Sequence, residues 1–178
     1  MRHKRGLLSA GMLLLASGAA AADTVVVYVY SNDFSLNPRG EPVVDAVIRV
    51  GDTIRWLWDG GFHDTLSVEG SAETWASPAT AELGFTFDHT FTHVGEFSYY
   101  CSIHGYDNFD GTAGGMAGTI TVRCSADWDL NGSINTLDFI GYLNDFNAAD
   151  ESADLDGNGT INTLDFLLYL NAFNTPCP

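Results

Sequence analysis

A cysteine, two histidines and a methionine stand at spacings that could hold a soft metal ion. Tyr99-Tyr100-Cys101-Ser102-Ile103-His104 sets a thiol and an imidazole three residues apart, and Gly114-Gly115-Met116 follows. A second imidazole, His63, lies upstream behind Trp58-Asp59-Gly60-Gly61-Phe62. One thiolate, two imidazoles and a weak thioether are the donors of a mononuclear copper site that passes single electrons, with a trigonal Cys and His core and a long axial Met.

A second donor set is hard rather than soft. Asp127, Asp129, Asn131, Ser133, Asn135 and Asp138 occupy positions 1, 3, 5, 7, 9 and 12 of an EF-hand-like loop, with Gly132 at position 6. The pattern returns 27 residues later as Asp154, Asp156, Asn158, Thr160, Asn162 and Asp165, with Gly159 at position 6. Carboxylate and amide oxygens at this spacing suit Ca²⁺. Position 7 gives its backbone carbonyl, position 9 can act through water, and position 12 is Asp in both copies.

The elements that must carry these donors differ between the two halves. Residues 24–30, 43–50, 53–58, 63–68, 85–91, 97–101 and 118–123 read as short strands rich in β-branched and aromatic residues. Ser31 to Gly40 reads as a polar turn region, and Glu69 to Gly84 as a loop or short helix. Such a run of short strands predicts a two-sheet antiparallel sandwich of about one hundred residues. After Cys124 each acidic loop is followed by apolar residues at helical spacing. These are Phe139, Ile140, Tyr142, Leu143 and Phe146, then Phe166, Leu167, Tyr169, Leu170 and Phe173. The domain boundary is expected at about residue 124.

The first half resembles the plastocyanin/azurin family of cupredoxins over roughly residues 43–123. The likeness rests on Val50-Gly51-Asp52-Thr53-Ile54-Arg55-Trp56 before His63-Asp64-Thr65, and on Phe91-Thr92 with Gly95-Glu96-Phe97 before Tyr100-Cys101-Ser102-Ile103-His104. It continues in Gly115-Met116-Ala117-Gly118-Thr119-Ile120. The resemblance implies a Greek-key β-sandwich with one copper ion on His63, Cys101, His104 and Met116. Twelve residues separate His104 from Met116, a longer loop than is usual in that family. The alternatives for Met116 are a core methionine, with the axial position empty or filled by a backbone oxygen. His89 and His93 fall outside the motif and read as strand or turn residues.

Residues 124–178 resemble a type I dockerin, on the Asp at position 12, the helix after each loop and the lack of a helix before the first. The resemblance implies two calcium ions that fold the module, and a loop-and-helix face that binds a cohesin or another cell-surface receptor. It also implies a role in tethering an exported protein.

Composition bounds the function. Arg2-His3-Lys4-Arg5, the apolar stretch from Leu7 to Ala20 and the small residues Ala20-Ala21-Ala22 read as a signal peptide, cut after Ala22. No other apolar run is long enough to span a membrane. Export to a periplasmic, cell-surface or extracellular location is expected. The remaining chain has four arginines, no lysine and 23 acidic residues, a formal charge of −19. That argues against nucleic acid and anionic membranes, and for cations or a basic redox partner such as a c-type cytochrome. Only His63, His89, His93 and His104 remain after cleavage. These are too few for a multicopper oxidase or a copper nitrite reductase, so an electron carrier is expected rather than an enzyme. Copper storage, delivery or sensing, or a non-redox assembly role, are the competing readings. If Cys101 is a metal thiolate, Cys124 and Cys177 are left to form a disulfide around residues 125–176.

Overall fold

The computed structural model describes residues 22–175. Residues 1–21 of the expected signal peptide lie outside the described residues, as does Cys177, the expected disulfide partner of Cys124.

Eight strands precede the helices. They are β1 (Thr24–Tyr30), β2 (Asp33–Ser35), β3 (Ala46–Arg49), β4 (Thr53–Trp58), β5 (Leu66–Ser67), β6 (Thr86–Thr90), β7 (Gly95–Asp107) and β8 (Ala113–Arg123). They form two four-stranded sheets, in the orders β2-β1-β4-β6 and β3-β8-β7-β5. The apolar side chains between them include Val27, Val29, Phe34, Ile54, Trp56, Trp58, Phe91, Tyr99, Ile120 and Val122. In β4 alternation points Ile54, Trp56 and Trp58 inward, while Arg55 stays exposed and pairs with Asp88 at 2.7 Å. Each inward apolar side chain contributes about 2–3 kcal/mol by leaving water.

The chain is mainly β with two sheets, as expected, but the sheets are not wholly antiparallel. β1 runs parallel to β4 and β3 runs parallel to β8. The long excursions between these partners allow it, since a parallel pair needs a crossover rather than a tight turn. Ser31 to Gly40 contains the short strand β2, and Glu69 to Gly84 is a helix-free loop. Isolated bridges tie that loop's Thr80 to His63 and its Ala76 to Leu66. β7 and β8 run well past the expected 97–101 and 118–123. Their glycines (Gly105, Gly114 and Gly115) hide a continuing hairpin that pairs Gly105 with Gly115 and Asp107 with Ala113.

The second half holds α1 (Thr136–Ala148), a 3₁₀ turn (Glu151–Ala153) and α2 (Thr163–Asn174). Asn135 caps α1 and Asn162 caps α2, each in a reciprocal capping box with Asp138 or Asp165. The repeat is visible in space. Tyr142 and Tyr169, equivalent in the two copies, stack with ring centres 4.0 Å apart and planes within 3°. Trp128, Ala153 and Leu155 complete the small buried cluster. Two expected core residues face water instead: Ile140 is 47% and Leu167 55% exposed. Leu168 packs inward in place of Leu167. Both helices are apolar on most sides, so periodicity does not single out the buried stripe. The two halves meet where the Arg49 guanidinium lies 4.6 Å from the Trp128 ring centre.

Candidate metal centre

His63 follows the turn after β4, Cys101 and His104 lie on β7, and Met116 lies on β8. In a regular strand, residues three apart point to opposite faces. Here the β7–β8 register shifts between Tyr100 and Gly105. Such an irregularity turns side chains toward a common point. Cys101 Sγ lies 3.7 Å from His63 Nδ1 and 3.6 Å from His104 Nδ1, and the two nitrogens are 3.1 Å apart. A point equidistant from all three atoms sits about 2.0 Å from each, the reach of a metal–imidazole bond. The donor set therefore fits a first-row metal ion of the kind the sequence implied. Cys101 and His63 are buried, at 0% and 1% exposed, whereas His104 reaches the surface. Met116 is 1% exposed in the same apolar cluster as Cys101, and its neighbour Ala117 pairs with Tyr100.

Three supporting residues carry no metal-site signature in the sequence. Asp64 ties the two ligand segments together: Oδ1 accepts Ser102 N at 2.7 Å and Oδ2 accepts Ser102 Oγ at 2.5 Å. Gly61, at φ +89°, leaves the space that the His63 ring fills, because a Cβ there would stand 2.0 Å from Nε2. Burial lowers the His63 pKa, and the nearby His104 lowers it further against the opposing Asp64. A neutral imidazole is the form that ligates.

The third is Glu73, which accounts for His89 and His93. Its Oε1 accepts Thr92 N at 2.6 Å, Thr92 Oγ1 at 3.0 Å and His93 N at 2.8 Å, and lies 2.9 Å from His93 Nδ1. Its Oε2 lies 3.0 Å from His89 Nε2. The knot pins the loop behind His63, where Ser77 N donates to Thr65 O and Trp75 Nε1 donates to Thr65 Oγ1. Burial pushes the Glu73 carboxyl upward, but the hydrogen bonds from His93, Thr92 and His89 outweigh it and hold the pKa at about 2, against an ordinary 4.5. A depressed carboxyl stabilises the fold in full above the ordinary value and loses that contribution as pH falls toward the depressed one. Glu73→Gln is therefore expected to cost about 3 kcal/mol at pH 7, with the deficit shrinking between pH 4.5 and 2. Urea titrations across that range check it, and equal stability at pH 7 refutes it.

The acidic loops also converge. One oxygen each from Asp127, Asp129 and Asp138 lie within 4.8 Å of one another, as do those of Asp154, Asp156 and Asp165. Asp138 and Asp165 are fully buried. In the first loop Asp127 accepts Asn131 N and Gly132 N, and Asn131 accepts Ser133 N. In the second Asp154 accepts Asn158 N and Gly159 N, and Asn158 accepts Thr160 N. Asn135 and Asn162 use their side-chain oxygens to cap Leu137 N and Leu164 N. Their amide groups donate to the carbonyls of Ser133 and Thr160.

No family model matches the chain. It is 35% identical over 103 residues to halocyanin of Natronomonas pharaonis, which covers 56% of this chain and 55% of that protein. The chain thus spans about half the length of this curated relative. Among solved structures it is similar to a Cu-containing nitrite reductase from Thermus scotoductus SA-01, at 25% identity and TM-score 0.42, over 56% of this chain and 22% of the other. An oxidised amicyanin variant gives 22% identity and TM-score 0.41, over 61% of this chain and 86% of the other. The halocyanin match supports the cupredoxin-like fold expected for the sheet half.

Proposed function

We propose that this is an exported electron carrier, with residues 23–123 as a cupredoxin domain and 124–178 as a calcium-folded, dockerin-like module. In this reading His63 Nδ1, Cys101 Sγ and His104 Nδ1 would hold copper, with the buried Met116 as the fourth donor. Copper supplies one-electron exchange between Cu(I) and Cu(II). The protein supplies rigidity: His63 and Cys101 come from segments cross-tied by Asp64 and Ser102, so the donors shift little on a change of charge. A copper ion held by all four side chains would have no open position, so the site would pass electrons rather than turn over a substrate. The observation that carries the reading is the buried thiol flanked by two Nδ1 atoms at metal-binding range.

The test is a visible spectrum of residues 23–178 with Cu(II), beside a Cys101→Ala variant. An intense thiolate-to-copper band, absent from the variant, is expected. A pale spectrum indifferent to Cys101 overturns the assignment. Rapid reduction and reoxidation distinguish a carrier from a protein of copper storage, delivery or sensing, which would instead release Cu(I) to an acceptor.

His104 provides the exposed exit for the electron. Exposed apolar side chains stand on β7 and the turns beside it: Phe62 at 54%, Ile103 at 44%, Tyr106 at 58% and Phe109 at 78%. The acidic balance favours a basic, cytochrome-like partner for this end, and complementary charge speeds encounter in a salt-dependent way. The bimolecular rate with such a partner is expected to fall as ionic strength rises from about 0.01 to 0.15 M. A flat salt dependence counts against a charge-steered partner.

For the second half, the exposed Leu137 and Ile140 on α1 and their equivalents Leu164 and Leu167 on α2 support a receptor face of the cohesin-binding or cell-surface kind. A pure assembly role, without redox chemistry, would leave the converging Cys101 and histidines unexplained.

A further inference from the structure

We propose that the cavity between the sheets and the calcium-loop half seats the chain's own α-ammonium group, created when the signal peptide is removed before Asp23. The inference rests on the export reading above and not on the copper site. Hydrolysis of the Ala22–Asp23 bond consumes one water. It leaves a carboxylate on the departing peptide and an ammonium on Asp23, and a peptidase of the export machinery carries it out.

The receiving carboxylate is already in place. Asp23 N lies 2.9 Å from Asp52 Oδ1, and Asp23 O accepts Thr53 N at 2.8 Å, which fixes this residue at the head of β1. Asp52 is 7% exposed, and its other oxygen accepts Arg49 N at 2.8 Å. Burial pushes the Asp52 carboxyl above its ordinary range, as expected of an acid that lacks a full counter-charge. Before cleavage the partner is a neutral amide. Afterwards the same nitrogen carries a positive charge and two further donors.

The surroundings call for that charge. The cavity holds about 300 Å³ and is lined by the acids Asp23, Asp52, Asp150, Glu151 and Asp154, with Arg49 as its one guanidinium. That guanidinium lies over the Trp128 ring, and its charge only partly offsets the rise that burial causes at Asp52. The other cations are few. Lys4 is the sole lysine and leaves with the signal peptide. Arg55 is engaged by Asp88 and Arg39 by Asp59, and Arg123, in register with Arg49 across β3 and β8, is not among the cavity's lining residues. After cleavage the α-amine is the sole amine of the chain, and it stands among carboxylates from both halves. Removal of the signal peptide thus completes the seam between them.

The lack of lysine makes the test clean. The exported, metal-loaded protein is first sequenced from its N-terminus, and Asp23 is expected as residue one. An amine-acetylating reagent then has a single target. Its reaction at pH 7.5 is expected to be about six- to eightfold slower than in an Asp52→Asn variant, the effect of raising an ordinary α-amine pKa by one unit. The same protein unfolded in denaturant supplies the reference rate if that variant does not fold. Slow labelling of an Asp23 terminus supports the proposal. A different first residue, or labelling as fast in the folded protein as in the unfolded, overturns it. The copper band, read on the same samples, reports the other site independently.

Discussion

Gly61→Ala is expected to abolish the thiolate–copper band at stoichiometric copper while leaving the fold intact. Two costs meet at this position. Gly61 has φ +89°, where a residue with a Cβ is strained by about 1–3 kcal/mol. The larger cost is local to the metal centre. The new Cβ would sit 2.0 Å from His63 Nε2 and 2.7 Å from its Cδ2, so the imidazole must move. His63 Nδ1 lies 3.7 Å from Cys101 Sγ and 3.1 Å from His104 Nδ1, and an ångström of movement takes one of three equatorial donors out of reach. Copper affinity should fall by about 10- to 100-fold, the scale on which disturbing a ligand's support acts. Gly60→Ala is the control. Its φ is +139°, so the backbone cost is comparable, but its Cβ meets the flexible end of Arg39 and not a ligand. Gly60→Ala should lower stability slightly and keep the band. A Gly61→Ala protein with an unchanged spectrum and affinity would mean that His63 does not ligate from this position.

That contrast shows what was legible in the sequence. Cys101, His104 and His63 announce themselves by donor type, because few other roles suit a thiol between imidazoles in a chain read as exported. Gly61 announces nothing, since its role is an absent Cβ, visible only once the ring lies against it. Glu73 is hidden for another reason: its partners are 16 to 20 residues away along the chain, and only folding brings them together. β-Branched and aromatic composition marks β1 as a strand and period-two alternation marks β4, but neither names a strand's neighbours, which is how the parallel pairs β1–β4 and β3–β8 escape the sequence. In the repeats, oxygen donors every second residue are plain to read. The capping duty of Asn135 and Asn162 is equally readable in principle, from an Asn followed three residues later by an Asp ahead of an apolar run.

Calcium removal is expected to unfold the second half and spare the first. The argument starts from Asp138, which is fully buried and lies with Asp127 and Asp129 in a group of three carboxylates. Two unit charges 4–5 Å apart repel by about 3–4 kcal/mol at the effective dielectric of a protein interior. A cation turns that repulsion into attraction. Without one, an acid must take up a proton or the loop must open. Opening does not stay local, because the same carboxylate accepts Trp128 N and Asn135 N, holding both the core tryptophan and the cap of α1. Asp165 does the same for Asp156 N and Asn162 N at the head of α2. The apolar cluster beneath is small, built on Trp128, Tyr142, Ala153, Leu155 and Tyr169, and helices of 12 and 13 residues are marginal without it. Excess chelator should therefore remove most of the helical far-ultraviolet signal at pH 7, and added Ca²⁺ should restore it. The copper band should persist, because Cys101 and Met116 belong to the separate core between the sheets. A helical signal unchanged in chelator would show that the carboxylates are neutralised without calcium. Loss of both signals together would show that the seam at Arg49 and Trp128 makes the two halves one cooperative unit.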